Sequence, residues 1–283
     1  MLDRSKYSCY TAHLSAPGSD RHPFLLVVFM RRLCLHSLLL VLFTAVSVFA
    51  GPLDDCREYT QFGVPGTSGD LLCRKGYLLS HDAKRKTPVW VVERMTRERL
   101  KAVLKRSDRF VPDAELPKGQ RAELSDYKGS GYDRGHMAPA ADMAWDAAAM
   151  SESFYLSNMV PQAGEGMNRG IWAELEKKVR QWVEKRGGLY IYSGPIYGEG
   201  EVKTIGRNKV AVPDALFKVV LDPVRHEAIA VVMPNRPLDT RDMPKYLVPV
   251  REVEKLTGLE FFSTLPQEEQ DLIEVPKPEA LWQ

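Results

Sequence analysis

Two hydrophobic periods alternate along the chain. Residues 77–79 and 89–92 are short apolar runs rich in β-branched or aromatic side chains and predict strands, with the polar stretch 80–88 as a hairpin-like connection. Residues 97–105 predict a short helix. Residues 107–131 carry Pro112, Pro117, Gly119, Gly129 and Gly131 among charges and predict a long surface loop, a kind of segment that often carries function. The alanine-rich stretch 142–150 predicts a helix. Across 168–186, Trp172, Leu175, Val179, Trp182 and Val183 recur at the helical period, so one face is built for burial, and Gly187-Gly188 ends the helix. Strands follow at 189–193, 216–221 and 228–233, the last two joined by a turn at Asp222-Pro223, and 250–256 predicts a final helix.

Strands grouped on both sides of helices, without regular βαβ alternation, indicate an α+β fold with a single domain over 51–283. Trp172 and Trp182 lie in the apolar helical stripe, which assigns them to core packing rather than to base-stacking platforms.

The first 50 residues change the charge balance. Arg31 and Arg32 precede apolar runs at 38–43 and 46–49, and Val48-Phe49-Ala50 stands before Gly51, the charge, apolar and small-residue order of a secretory signal peptide. The apolar run is too short for a bilayer span, so no membrane anchor is expected in the mature form. Met30 fits the start of that signal, leaving 1–29 as an upstream extension. Removing 1–50 takes away five basic and two acidic residues and leaves 34 basic against 35 acidic. A chain this neutral has no global field to attract a polyanion, so nucleic-acid binding requires a local basic surface. No helix-turn-helix, zinc finger or basic region is evident, which argues against sequence-specific DNA reading.

Cys56 and Cys73 remain downstream of the leader. In an oxidising compartment they are expected to form a disulfide, and zinc binding is disfavoured because no C-x-x-C spacing or nearby histidine pair accompanies them. A periplasmic or extracellular location is therefore the expectation.

Candidate chemistry concentrates at Asp133-Arg134-Gly135-His136-Met137-Ala138-Pro139-Ala140, which reads as a tight loop. A neutral imidazole suits proton abstraction from water near neutral pH, and Arg134 beside it suits an anionic substrate group. Phosphate-ester hydrolysis is the chemistry implied, against the alternative of a histidine satisfied by structural contacts.

Downstream stand Leu156-Ser157-Asn158, Pro161-Gln162, and Asn168-x-Gly170-x-Trp172-x-x-Leu175-Glu176. Together with the DRGH box, in this order and spacing, they resemble the DNA/RNA non-specific endonuclease family over about residues 56–266. The resemblance implies a central antiparallel sheet flanked by helices and a ββα-metal active-site finger. It implies His136 as general base and Asn168 as direct protein ligand of a hydrated Mg2+, with Mn2+ able to substitute. A neutral oxygen ligand suffices for magnesium. Asn168 also suits a helix N-cap. The resemblance places Glu176 on metal-bound water and Arg180 near the phosphate, against the plainer reading of an i,i+4 ion pair. Arg134 binds phosphate or pairs with a carboxylate, and Asp133 supports the loop or orients the site. Asn158 and Gln162 hold the metal site from behind, although Asn158 is also an ordinary turn residue. An upstream arginine on the scissile phosphate is expected, with Arg106 the candidate and Arg109 its competitor.

The expected activity is hydrolysis of DNA and RNA phosphodiesters without sequence preference. The alternatives are a non-catalytic nucleic-acid-binding or toxin-like protein on the same scaffold, and a metal-dependent phosphohydrolase acting on small esters.

Overall fold

The computed structural model describes residues 53–101 and 104–283. The readings of 1–29 as an extension and of 30–50 as a signal peptide fall outside the described residues. In chain order the strands are β1 (Asp70–Cys73), β2 (Tyr77–Asp82), β3 (Thr87–Met95), β4 (Asp133–His136), β5 (Met159–Gln162), β6 (Leu189–Ile196), β7 (Thr204–Ile205), β8 (Val210–Ala211), β9 (Ala215–Asp222), β10 (Glu227–Pro234) and β11 (Leu247–Val248). The helices are α1 (Arg97–Leu100), α2 (Leu124–Tyr127), α3 (Ala147–Glu152), α4 (Trp172–Arg186), α5 (Val250–Thr257) and α6 (Gln267–Glu274).

Seven strands form one sheet in the order β1-β2-β3-β6-β9-β10-β11, every neighbouring pair antiparallel. Successive side chains on a strand point to opposite faces, and here both faces are covered. Val91, Ile191 and Val220 pack with Trp172, Leu175, Val179 and Trp182 of α4 on one side. Trp90, Val92, Tyr192, Val219 and Leu221 pack on the other with Tyr59, Val253 of α5, Phe261 and Ile273 of α6. Two-sided burial is why these strands read as continuous apolar runs rather than as alternating ones. The α+β class and the central antiparallel sheet match the expectation, and Trp172 and Trp182 are buried in the core.

Several boundaries differ from the sequence reading. Of the helix expected over 97–105, the described residues show the single turn α1, capped by the Thr96 hydroxyl, and extended or irregular backbone from 104 onward. The helix expected over 142–150 divides into a 3-10 turn, Ala140–Met143, and α3, because the Asp146 carboxylate accepts from Ala148 N and Ala149 N and starts a new helix there. The long loop 107–131 contains α2, whose Glu123 and Asp126 side chains form a reciprocal capping box. No helix among the described residues is long and apolar enough to cross a membrane.

Cys56 and Cys73 are disulfide-bonded, with Cα atoms 5.8 Å apart. The bond joins the 3-10 turn Asp54–Tyr59 to the edge strand β1, where few backbone hydrogen bonds would otherwise hold it. Replacing both cysteines by alanine should lower stability by about 3 kcal/mol on the chain-entropy estimate, a drop of roughly 6–12 °C in melting midpoint for a domain of this size. Calorimetry checks this, and an unchanged midpoint would mean that the packing of Tyr59 and Phe62 holds the turn without the bond.

Candidate active site

The DRGH box is a strand and not the tight loop expected. β4 pairs antiparallel with β5 in the register Asp133↔Gln162, Arg134↔Pro161, Gly135↔Val160 and His136↔Met159. Glycine is required in the middle of it: a Cβ at Gly135 would lie 2.0 Å from Gln162 Oε1 and 2.7 Å from Gln162 Cβ. Gln162 is fully buried beneath that backbone, and neither its amide oxygen nor its nitrogen has a protein partner. Asn158 is also fully buried. Its Oδ1 accepts from Ala138 N and its Nδ2 donates to Ala138 O and Ser153 O, each at 2.9 Å. Asn158 fastens the backbone just beyond the DRGH strand, Gln162 packs beneath Gly135, and neither lines the cleft that the strand borders.

From β5 the chain passes through a wide-turned segment, Gly164–Ile171, into α4. The two strands and this helix enclose a cleft of about 740 Å³ lined by His136, Asn168, Glu176, Arg106, Arg134 and Arg169, among others. Asn168 is not the helix N-cap, which is Ile171 and makes no side-chain cap bond. Instead its Nδ2 donates to Asp133 Oδ2 at 2.9 Å, while Arg169 Nη1 lies 3.3 Å from Asp133 Oδ1. With its nitrogen held on Asp133, the amide oxygen of Asn168 is directed away from that carboxylate.

His136 is 8 % exposed, with Phe154 and Phe110 ring centroids at 5.1 and 5.6 Å. Burial pushes its pKa down to about 3, and the nearby Arg106 and Arg134 charges add to the shift against Asp108. The ring is therefore neutral at pH 7, and its buried Nε2 has no protein hydrogen-bond partner. Glu176, partly buried on α4, is shifted the other way. Burial raises its carboxyl pKa to about 7, the Asp142 charge adds to this, and Lys218, Arg180 and Arg106 oppose it. Lys218 is itself buried beneath α4, with Nζ 2.6 Å from Ser193 Oγ and 4.9 Å from the Trp172 ring centroid.

The arginines separate clearly. Arg106 lines the cleft over the Phe154 ring, with its guanidinium carbon 5.0 Å from the centroid, whereas Arg109 does not line it. Arg134 lies 4.0 Å over Phe110. Arg180, expected near the phosphate, is directed elsewhere: its Nη1 pairs with buried Asp142 Oδ1 at 2.8 Å, and it lines a different depression with Arg97 and Lys101. The i,i+4 pair with Glu176 does not form either, because Asp142 takes the guanidinium. Sequence reasoning missed Phe110, Phe154, Lys128 and Tyr132, whose loop positions carry no periodic signal, and Arg169 in the wide-turned segment before α4.

Four cations line the cleft, Arg106, Lys128, Arg134 and Arg169, against Asp133 and Glu176. This is the local basic surface that a globally neutral chain needs in order to hold a polyanion. Among the described residues no group of three or more His, Cys, Asp or Glu side chains could hold a metal ion. A neutral amide oxygen with the Asp133 and Glu176 carboxylates in the same cleft does not make a zinc site, but it does suit a hard cation that keeps most of its waters.

The DNA/RNA non-specific endonuclease family model matches residues 56–268. The chain belongs to that family. "Nuclease 1, mitochondrial" of Schizosaccharomyces pombe is 39 % identical over 232 residues, covering 75 % of this chain and 72 % of its own. "Endonuclease G, mitochondrial" of Homo sapiens is 36 % identical over 218 residues, covering 72 % of this chain and 73 % of its own. A crystal structure of the EndoG/EndoGI complex contains a chain that superposes with a TM-score of 0.72 at 32 % identity, covering 76 % of this chain and 94 % of that one. The family is one of metal-dependent nucleases, and the chain is a hydrolytic phosphodiesterase. These relatives overturn the periplasmic or extracellular location expected from the leader, since several, including those of Caenorhabditis elegans and Saccharomyces cerevisiae, are named mitochondrial. The physical reason for the error is that an N-terminal stretch carrying Arg and Ser and few acids fits mitochondrial transit as well as export.

The low pKa of His136 gives a direct test. An NMR titration should show its ring neutral from pH 8 down to about pH 5. The unfolded chain takes up this proton near 6.5, so the group's contribution to stability is complete above 6.5 and is lost as pH falls toward 3. A midpoint for His136 near 6.5 would remove the desolvation argument.

Proposed function

We propose that residues 51–283 form a nuclease domain that hydrolyses DNA and RNA phosphodiesters without sequence preference, with His136 as general base and Mg2+ held through Asn168. The observation that carries this is a desolvated, neutral imidazole without a protein partner, set in a cation-lined cleft that also holds Asn168 and Glu176. His136 accepts the proton of the attacking water as its oxygen bonds to phosphorus. Arg106 and Arg134 supply positive charge to the phosphoryl oxygens, and the P–O bond to the leaving oxygen breaks as that oxygen takes up a proton from a second water molecule. Asp133 holds the Asn168 amide by its nitrogen, so that the amide oxygen would be the group to hold the cation, and Glu176 would accept hydrogen bonds from the water the cation keeps. When bound, the cation neutralises phosphate charge and acidifies water. Guanidinium and ammonium groups recognise the backbone common to all sequences, which supports the lack of base preference.

Plasmid nicking by His136→Ala should fall by roughly 10²-fold or more with the fold intact. In the same assay EDTA should abolish wild-type cleavage, and Asn168→Ala should raise the Mg2+ concentration required. Near-normal cleavage by folded His136→Ala would refute the base assignment, and an unchanged metal titration would refute the ligand assignment.

The names of the relatives support a mitochondrial location. Fractionation of the native host should recover the chain with mitochondria, and recovery from the medium would contradict it.

A further inference from the structure

Beside the cleft, a short hairpin carries three cations that the catalytic arrangement leaves unused. It consists of β7, β8 and the turn Gly206-Arg207-Asn208-Lys209 between them. Lys203, Arg207 and Lys209 are all exposed, and none forms an ion pair with a described residue, although Glu199 and Glu201 precede them in the chain.

The hairpin is pinned in place. Asn208 N and Nδ2 donate to the buried Asp126 carboxylate at 3.1 and 2.8 Å, 82 residues away in sequence. Gly206 has φ +67°, and a Cβ there would lie 2.3 Å from Asp126 Cα, so the turn lies directly on the start of the wall formed by α2. Ile205 and Val210 pack into one apolar cluster with Tyr127, which itself lines the cleft. On the far side Ala211 N donates to Arg85 O at 3.0 Å, in the turn that also carries exposed Lys84. A platform fixed in this way presents its charges with no further backbone ordering when a ligand binds, leaving only the side-chain rotamers to be fixed.

Its position relative to the chemistry is also fixed. Lys203 Nζ lies 5.0 Å from the ring centroid of Tyr132, a cleft-lining residue immediately before β4. Tyr132 precedes His136 by four residues of extended chain, about 13 Å at the rise of a strand. Measured along a duplex axis, that distance is roughly four base-pair steps.

We propose that Lys203, Arg207 and Lys209 of the β7–β8 hairpin bind backbone phosphates of the substrate several nucleotides from the scissile bond, so that the chain grips long nucleic acid over a track extending beyond its cleft. This rests on the nuclease reading of the cleft and adds a distal subsite to it. The occupant is a nucleic-acid backbone, because the hairpin that carries these unpaired cations packs against Tyr127 and Tyr132, which line the same cleft as Arg106, Lys128, Arg134 and Arg169.

The test is the triple variant Lys203→Ala/Arg207→Ala/Lys209→Ala, assayed on long linear duplex DNA with Mg2+ between 50 and 200 mM NaCl. The side chains are exposed and the Asp126–Asn208 bonds are untouched, so the melting midpoint should stay at the wild-type value. The expected result is kcat within twofold of wild type, KM raised at least tenfold, and a dependence of log kcat/KM on log salt that is shallower by about 0.9 for each phosphate the variant no longer binds. If all three cations bind phosphate, the wild-type fall in kcat/KM across that salt range exceeds the fall for the variant by ~40-fold. An unchanged salt slope would overturn the proposal, as would a fall in kcat with KM unchanged. Either outcome leaves the nuclease reading standing, since that reading fails only if the wild-type chain does not cleave.

Discussion

Pairing of β4 with β5 is the constraint on which the site depends. Four register pairs, from Asp133↔Gln162 to His136↔Met159, bring the DRGH strand against a segment about 25 residues later. That segment leads through Gly164–Ile171 into α4, so the same pairing sets Asp133 against Asn168 and brings His136 and Glu176 into one cleft. A slip of one residue would turn His136 from the cleft to the opposite face. The fully buried Gln162 beneath Gly135, and Asn158 bonded on both sides of Ala138, hold the register where a two-stranded ribbon alone would be marginal.

Desolvation then divides the roles of the titratable groups. The two aromatic rings around His136 lower the pKa of a cation-forming base, while burial of Glu176 raises that of an anion-forming acid. Both shifts favour the neutral form, and they arise from one cause acting on opposite charge types. Beneath α4, Glu93 and Lys218 are almost completely buried within the sheet core, and Arg180 is committed to Asp142. The charges behind the cleft therefore partly satisfy one another, and the cations facing outward come from the loops and from β4.

Positive charge on this protein is local because 39 basic residues against 37 acidic ones leave the chain with a net charge of only +2. Residue types alone give a neutral surface, but folding gathers Arg106, Lys128, Arg134 and Arg169 from three separate stretches around one opening. Arg180 shows the limit of reasoning by helical spacing. Its angular position on α4 is close to that of Glu176, yet a buried carboxylate from the 3-10 turn Ala140–Met143 takes its guanidinium away from the substrate side.

The sequence by itself determined the elements whose signal is local. The apolar period of α4, the continuous apolar runs of β3, β6, β9 and β10, the cysteine pair, and the three motifs that mark the family are all patterns within short windows, where propensity and burial act on neighbouring residues. Only the tertiary structure decided that DRGH is a strand, that Asn168 binds Asp133 rather than capping a helix, that Arg106 and not Arg109 faces the cleft, and that Phe110 and Phe154 enclose His136. Each of these depends on a contact between residues far apart in the chain or on competition between two partners for one side chain. Such contacts form only when the sheet and the β4–β5 pair close on each other, and no local period records them.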